Sequence, residues 1–187
     1  MSKRMTLAFM AVLFFGPVIA AYVWFFYFHD AAPEASVNKG ELVEPAVALT
    51  ELELEPRGKD ADTMPFSEDW TILVIAPGAC DEACTQALVT TRQVWRRLNR
   101  DMDRVQRVLV ASPEVDIDLS EHPVLRVYDY SAEFGAVIDE AMPQHTPESR
   151  VMLVDPFGNL MMSYPLDLEP EMLYDDLRRL LRYSQAG

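Results

Sequence analysis

The feature that most constrains this chain is an uninterrupted apolar run near its N-terminus. Residues 6–28 are 23 consecutive positions without a charged side chain. As a helix, a run of this length spans the roughly 30 Å hydrocarbon core of a bilayer. A cleaved signal peptide is the alternative, but its apolar core is shorter and small residues follow it, whereas this run ends in aromatic residues. We therefore predict an uncleaved transmembrane helix.

Charged residues on either side of the run predict its orientation. Lys3 and Arg4 precede the run, and His29 and Asp30 follow it. Basic residues concentrate on the cytoplasmic side of membrane segments, so residues 1–5 are predicted to be cytoplasmic. The rest of the chain then lies across the membrane. In a bacterium this is the periplasm, an oxidising compartment in which two cysteines can pair.

The part of the chain after the apolar run is strongly acidic. It contains 14 basic and 30 acidic residues, a formal charge of −16. Because such a charge repels a phosphate backbone, we exclude nucleic acid as a partner. The seven glycines form neither a GxGxxG nor a GxxxxGK pattern, which excludes the common phosphate-binding loops.

Composition divides this acidic part into two predicted regions. Residues 29–65 are rich in Ala, Glu, Pro and Asp with few aromatic side chains, and are predicted to be a tether with a short extended piece at 38–43. Residues 66–187 show the apolar periodicity of a folded domain.

Within residues 66–187 the apolar spacing predicts seven elements in a definite order. The order matches the thioredoxin core, so we predict an α/β fold: a thioredoxin-like domain tethered by one N-terminal transmembrane helix. The predicted elements are a strand at 71–76, a helix at 81–102, strands at 105–112 and 124–128, a helix at 131–142, a hairpin at 150–164 and a helix at 169–183.

Cys80 and Cys84 carry the chemical prediction. Cys80 follows the first strand and Cys84 lies one turn into the next helix, so we expect their sulfurs to converge above the helix N-terminus. Backbone N–H groups favour thiolates there, and two thiolates suit Cu(I) or a reversible disulfide. Asp81 and Glu82 oppose thiolate formation but not a bound cation. A structural disulfide or buried free thiols are the alternatives, although a bridge across so short a loop adds little stability.

Two segments of the sequence resemble a known family. Residues 70–84, with the C-x-x-x-C pair, and residues 153–160, with Asp-Pro-Phe-Gly, resemble the Sco/SenC group. The chain is more similar still to small bacterial transmembrane proteins associated with cytochrome c oxidase assembly. That similarity includes the patterns at 38–42, 86–88, 91–93, 101–108 and 184–185, and it covers residues 38–187.

The resemblance implies a membrane-anchored copper chaperone of the bacterial inner membrane, whose partners are oxidase subunits or other assembly factors. In the Sco group two C-x-x-x-C thiolates and a distant histidine bind copper. The cysteines correspond to Cys80 and Cys84, both as metal ligands and as a redox pair. Pro147 stands at the position of the histidine, and His145, two residues away, is the substitute ligand if the loop bulges.

The two sulfurs are compatible with three functions. The first is an oxidase assembly factor that handles Cu(I) or reduces copper-ligand cysteines. The second is a general periplasmic thiol-disulfide oxidoreductase, with Cys80 attacking and Cys84 resolving, and the third is a scaffold without redox or metal chemistry. Of the remaining candidates, His122 is predicted to be solvated and the methionines of the domain to fill its core.

Overall fold

Helix α1 (Lys3–Phe28) contains the apolar run, with Pro17 in its interior. The computed structural model describes residues 3–28, 38–58, 63–66, 68–143 and 149–184, and the chain divides into two compact units, Met1–Val37 and Asn38–Gly187. Lys3–Trp24, with a mean hydropathy of 2.1, is long and apolar enough to cross a membrane. The predicted apolar helix is therefore present.

The second unit is built on a six-stranded mixed sheet. Its strand order is β1-β6-β5-β2-β3-β4, with β2, β3 and β4 parallel and the neighbouring pairs β2/β5, β5/β6 and β6/β1 antiparallel. The strands are β1 (Glu41–Ala48), β2 (Trp70–Ala76), β3 (Val105–Ala111), β4 (Leu125–Asp129), β5 (Arg150–Val154) and β6 (Asn159–Tyr164).

Three helices cover the sheet, and their ends follow local sequence signals. They are α2 (Glu82–Arg97), α3 (Ala132–Ala141) and α4 (Pro170–Tyr183). Ser131 caps α3 by accepting a hydrogen bond from the backbone N–H of Phe134. The helix predicted at 81–102 is shorter: α2 ends where Asn99 takes a left-handed φ of 52°, and the 3-10 helix Asn99–Arg104 follows.

Strand β2 separates two hydrophobic cores. All seven of its residues are buried, which is typical of a central strand covered on both faces. Ile72 and Val74 pack in the core beneath α2 and α4, whereas Leu73 and Ile75 pack in the core that includes α3. Among the methionines, Met142, Met152 and Met162 are buried in these cores.

Part of the segment predicted as a tether, 29–65, belongs to the folded unit, which starts at Asn38 instead of residue 66. Strand β1 pairs with β6, and the chain then crosses one face of the sheet, where Leu49, Leu52 and Leu54 are buried. Each fully buried leucine contributes about 2 kcal/mol relative to an exposed one. Beyond them, Pro56 forms a bridge with Tyr128 on the outer side of β4.

A buried carboxylate holds the start of this segment. Asp176 of α4 accepts hydrogen bonds from the backbone N–H groups of Lys39 and Gly40, each at 2.8 Å, and from the Tyr164 hydroxyl at 3.0 Å. Burial and the adjacent Asp176 carboxylate raise the pKa of Tyr164. A Cβ at position 40 would lie 2.5 Å from the Tyr164 ring, so glycine is required there.

His122 is buried and not solvated, so that prediction is wrong. Only 5% of His122 is exposed, and it lies near Arg107, which is 1% exposed. Burial comes first among the causes that lower the pKa of His122, followed by the positive charges of Arg107 and Arg92. Burial and the charges of Arg92 and Arg96 likewise lower the pKa of Arg107 to about 10.

This environment predicts a loss of stability on mild acidification. The folded-state pKa of His122 is lower than its unfolded value of 6.5, so the unfolded chain binds the proton first. Above about pH 6.5, neutral His122 makes its full contribution to the free energy of unfolding. This contribution is lost as the pH falls toward the folded-state pKa, at no more than about 1.4 kcal/mol per pH unit. Urea unfolding between pH 7.5 and 5 should show a steeper loss in the wild type than in His122→Gln. Equal pH dependence in both would contradict this assignment.

Candidate functional site

The corner between β2 and α2 brings the two cysteines together. Strand β2 ends at Ala76, Cys80 lies in the following loop, and Cys84 lies in the first turn of α2. The residues form a disulfide with a Cα–Cα distance of 5.1 Å. The described part of the chain therefore has one oxidised pair at this corner and no free cysteine.

The two cysteines differ in exposure. Cys80 is half-buried at the edge of the α2 core, whereas Cys84 is fully buried within it. Cys80 is therefore the more accessible of the two to a thiol from outside. Attack on Cys80 would make Cys84 the leaving group, and in the reverse direction Cys84 would be the resolving cysteine.

Asp81 determines where the helix begins and alters the charge beside the sulfurs. Its carboxylate oxygen Oδ1 accepts a hydrogen bond of 3.0 Å from the backbone N–H of Cys84. This amide is one of the N–H groups at the helix N-terminus that would otherwise stabilise a thiolate. Asp81 therefore stabilises the helix end but opposes a negative charge on the neighbouring Cys80 sulfur.

Residues from the segment predicted as a tether support the same edge of the sheet. The Arg57 guanidinium donates hydrogen bonds to the backbone oxygens of Ala111 (2.9 Å), Ser112 (2.5 Å) and Val115 (2.6 Å), and it pairs with the Asp129 carboxylate at 2.5 Å. These groups follow or end β3 and β4, at the carboxyl edge where β2 delivers Cys80. In the sequence, the only sign of these Arg57 contacts is that a lone arginine stands in an acidic stretch.

A groove opens beside the disulfide. It has a volume of about 620 Å³. Three segments line it: the loop that leads from β2 into α2, the start of β5 and the loop after β6. Cys80 lies in the chain between Gly78 and Asp81, which both line the groove, so the groove adjoins the loop that carries Cys80. Sequence periodicity does not show this groove, because its walls come from separate parts of the chain.

The predicted third metal ligand cannot be placed. His145 and Pro147 lie outside the residues that the structure describes. Within the described ranges, no three His, Cys, Asp or Glu side chains are grouped so that they could hold a metal ion. His122 is not a substitute, because it precedes β4 whereas Cys80 follows the parallel strand β2, which puts them at opposite edges of the sheet.

Comparison with known families identifies the domain. A family described as the transmembrane-like, thioredoxin-like C-terminal domain matches residues 70–184. The chain belongs to this family. Among curated proteins, no sequence matches the chain. The family assignment confirms the predicted fold class, a thioredoxin-like α/β domain in a chain with one apolar N-terminal helix.

Solved structures of Sco proteins share the fold. Apo Sco1 from Thermus thermophilus has a TM-score of 0.55 and 16% identity, covering 76% of this chain and 96% of that one. Copper-bound ScoI from Bradyrhizobium japonicum has a TM-score of 0.51 and 22% identity, covering 68% and 96%. Yeast Sco1 has a TM-score of 0.56 and 13% identity, covering 77% and 99%. The predicted resemblance to the Sco group is confirmed in the fold.

The role of Asp81 predicts how reactive the reduced cysteines are. Asp81→Asn keeps an oxygen that can cap the helix and removes the negative charge, so a larger fraction of Cys80 should be thiolate at neutral pH. We expect alkylation of the reduced chain by iodoacetamide at pH 7 to be faster by about threefold to tenfold, the effect of one unit charge at close range in a partly aqueous site.

A matched variant tests whether this effect is local. Asp103→Asn removes the same charge from an exposed position in the 3-10 helix that follows α2, and its alkylation rate should equal that of the wild type. Equal rates for Asp81→Asn and the wild type would show that Asp81 does not control the thiolate.

Proposed function

We propose that the chain is a membrane-anchored assembly factor for cytochrome c oxidase. In this proposal Cys80 and Cys84 carry Cu(I) as cargo or reduce the copper-ligand cysteines of the oxidase. One observation supports this proposal most strongly: the two sulfurs meet at the corner between β2 and α2. Sco proteins share this fold, and the structures of some of them contain copper. BsSco, a member of the Sco family of cytochrome c oxidase assembly proteins, shares this fold, with a TM-score of 0.56.

The reduced pair has the donor chemistry that Cu(I) requires. Thiolates are soft ligands that select Cu(I), and the two Cα atoms lie 5.1 Å apart, so both sulfurs can contact one ion. Cys84 is fully buried, which would keep one side of the ion away from water, whereas the half-buried Cys80 would leave the other side accessible for transfer. His145 is proposed as a weak third ligand, one that favours Cu(II).

The proposal includes a location. Helix α1 would lie in the bacterial inner membrane with residues 1–5 in the cytoplasm, and the folded unit would be periplasmic. Lys3 and Arg4 support this orientation through the positive-inside bias. The oxidised cysteine pair is compatible with an oxidising compartment. Oxidase subunits or other assembly factors would be the partners.

A second candidate is a general periplasmic thiol-disulfide oxidoreductase. The difference in exposure between the cysteines favours it, because an accessible attacking sulfur beside a buried resolving sulfur is what two-step exchange requires. A scaffold without either chemistry is the third candidate.

Anaerobic titration of the reduced full-length chain with Cu(I), in competition with a chromogenic chelator, tests the copper proposal. We expect one Cu(I) per chain. Mutation of a residue that only orients a metal ligand typically lowers metal affinity about 10–100-fold. Cys80→Ser and Cys84→Ser, which each lose a ligand, should therefore weaken binding by at least about tenfold. His145→Ala should weaken Cu(II) binding more than Cu(I) binding.

The oxidised chain is the matched control, since its sulfurs are already bonded to each other and should not compete for Cu(I). If the double serine variant binds Cu(I) as the reduced wild type does, the copper proposal fails. Measurable exchange with an oxidised client peptide would then support the oxidoreductase, and inactivity in both assays would support the scaffold.

A further inference from the structure

The charged residues that line the groove beside the disulfide differ in whether the protein itself compensates their charge. Its charged lining residues are Asp81, Asp167 and Arg150. The Arg150 side chain is only 12% exposed; its Nη2 lies 3.6 Å from Glu41 Oε2, and its Nε donates a 2.7 Å hydrogen bond to the Ser163 hydroxyl. The positive charge of Arg150 is therefore already compensated within the protein.

The two aspartates are not compensated in this way. Asp81 and Asp167 are both exposed, and neither forms an ion pair with a lysine or arginine of the described residues. Asp81 is occupied with the Cys84 amide but keeps its negative charge. Asp167, in the loop after β6, has no capping role, so its carboxylate is available to a molecule in the groove.

We infer that this groove selects a client whose cysteine is flanked by a positively charged side chain, and that Asp167 determines this preference. The inference rests on the proposed function, because it names the class of client with which the same disulfide exchanges. A Lys or Arg next to the reacting cysteine would lie in the groove near Asp167 while the sulfur approaches Cys80. An acidic flank would instead face two carboxylates.

Two client thiols supply the two electrons that reduce the protein disulfide. The first thiolate attacks the Cys80 sulfur and forms a mixed disulfide; the Cys80–Cys84 bond breaks, and its electron pair leaves on the Cys84 sulfur, which then takes up a proton from water. A second thiolate attacks the client sulfur of the mixed disulfide and releases Cys80. The protein disulfide gains two electrons, and the two client thiols are oxidised to one disulfide. Reduction of a client disulfide by the dithiol form of the protein is the reverse of this sequence and passes through the same mixed disulfide.

Three small thiols that differ in charge test the inference directly. Cysteamine is positive, 2-mercaptoethanol is neutral and mercaptoacetate is negative at its carboxylate. The rate at which each reduces the full-length chain in a nonionic detergent would be measured by quenching and mass spectrometry. Each rate is divided by the rate of the same thiol with 2-hydroxyethyl disulfide, which removes differences in thiol pKa and nucleophilicity.

We expect the normalised rate of cysteamine to exceed that of mercaptoacetate by about tenfold, the effect of one or two charges at close range in a partly aqueous groove. The ratio should fall toward unity in 1 M salt, where the screening length is about 3 Å. Asp167→Asn should reduce the ratio to about threefold or less.

Asp103→Asn is the matched control, because it changes the net charge equally but lies in the 3-10 helix beyond the C-terminal end of α2. The ratio should stay at the wild-type value in this variant. The inference is overturned if Asp167→Asn keeps the wild-type ratio, or if Asp103→Asn lowers it as much, because the acidic domain as a whole would then cause the preference. Equal normalised rates for the three thiols would overturn the inference and leave the redox-active pair intact. If no thiol reduces the disulfide, the redox part of the proposed function fails as well.

Discussion

Strand β2 is the constraint on which the rest of the structure depends. It pairs with β3 on one side and β5 on the other, and every one of its residues is buried. A shift of one residue would exchange the side chains between the two cores, so its register is strongly specified. This register fixes the position of Ala76, from which a short loop delivers Cys80 to the start of α2.

The start of α2 then determines the chemistry of the pair. Asp81 caps the helix through the Cys84 amide, and Cys84 is packed in the core beneath the helix. One sulfur is therefore held within the protein while the other lies next to the groove. The negative charge of Asp81 disfavours a second negative charge on the adjacent sulfur but does not oppose a cation.

Most of the thioredoxin-like core could be predicted from the sequence, because β2 is an apolar run rich in β-branched residues and α2 has a clear helical repeat. The extended piece predicted at 38–43 overlaps the start of β1, but the packing of residues 49–57 could not be predicted, because Leu49, Leu52 and Leu54 are interspersed with acidic residues and are buried against distant strands. The burial of His122 near Arg107, 15 positions earlier in the sequence, likewise could not be predicted from the local sequence. The cysteine corner followed from local spacing, whereas the groove required the three-dimensional arrangement of loops. The role of His145 as a ligand stays a prediction.

We propose that Cys80 and Cys84 form a reversible functional pair and not a structural bond. The reduction potential of the full-length chain, equilibrated with dithiothreitol buffers and quantified by thiol alkylation, tests this directly. A bridge between residues four positions apart adds little stability to the fold, so we expect a potential above about −300 mV. A potential well below about −300 mV, the range of structural disulfides in secreted proteins, would contradict it.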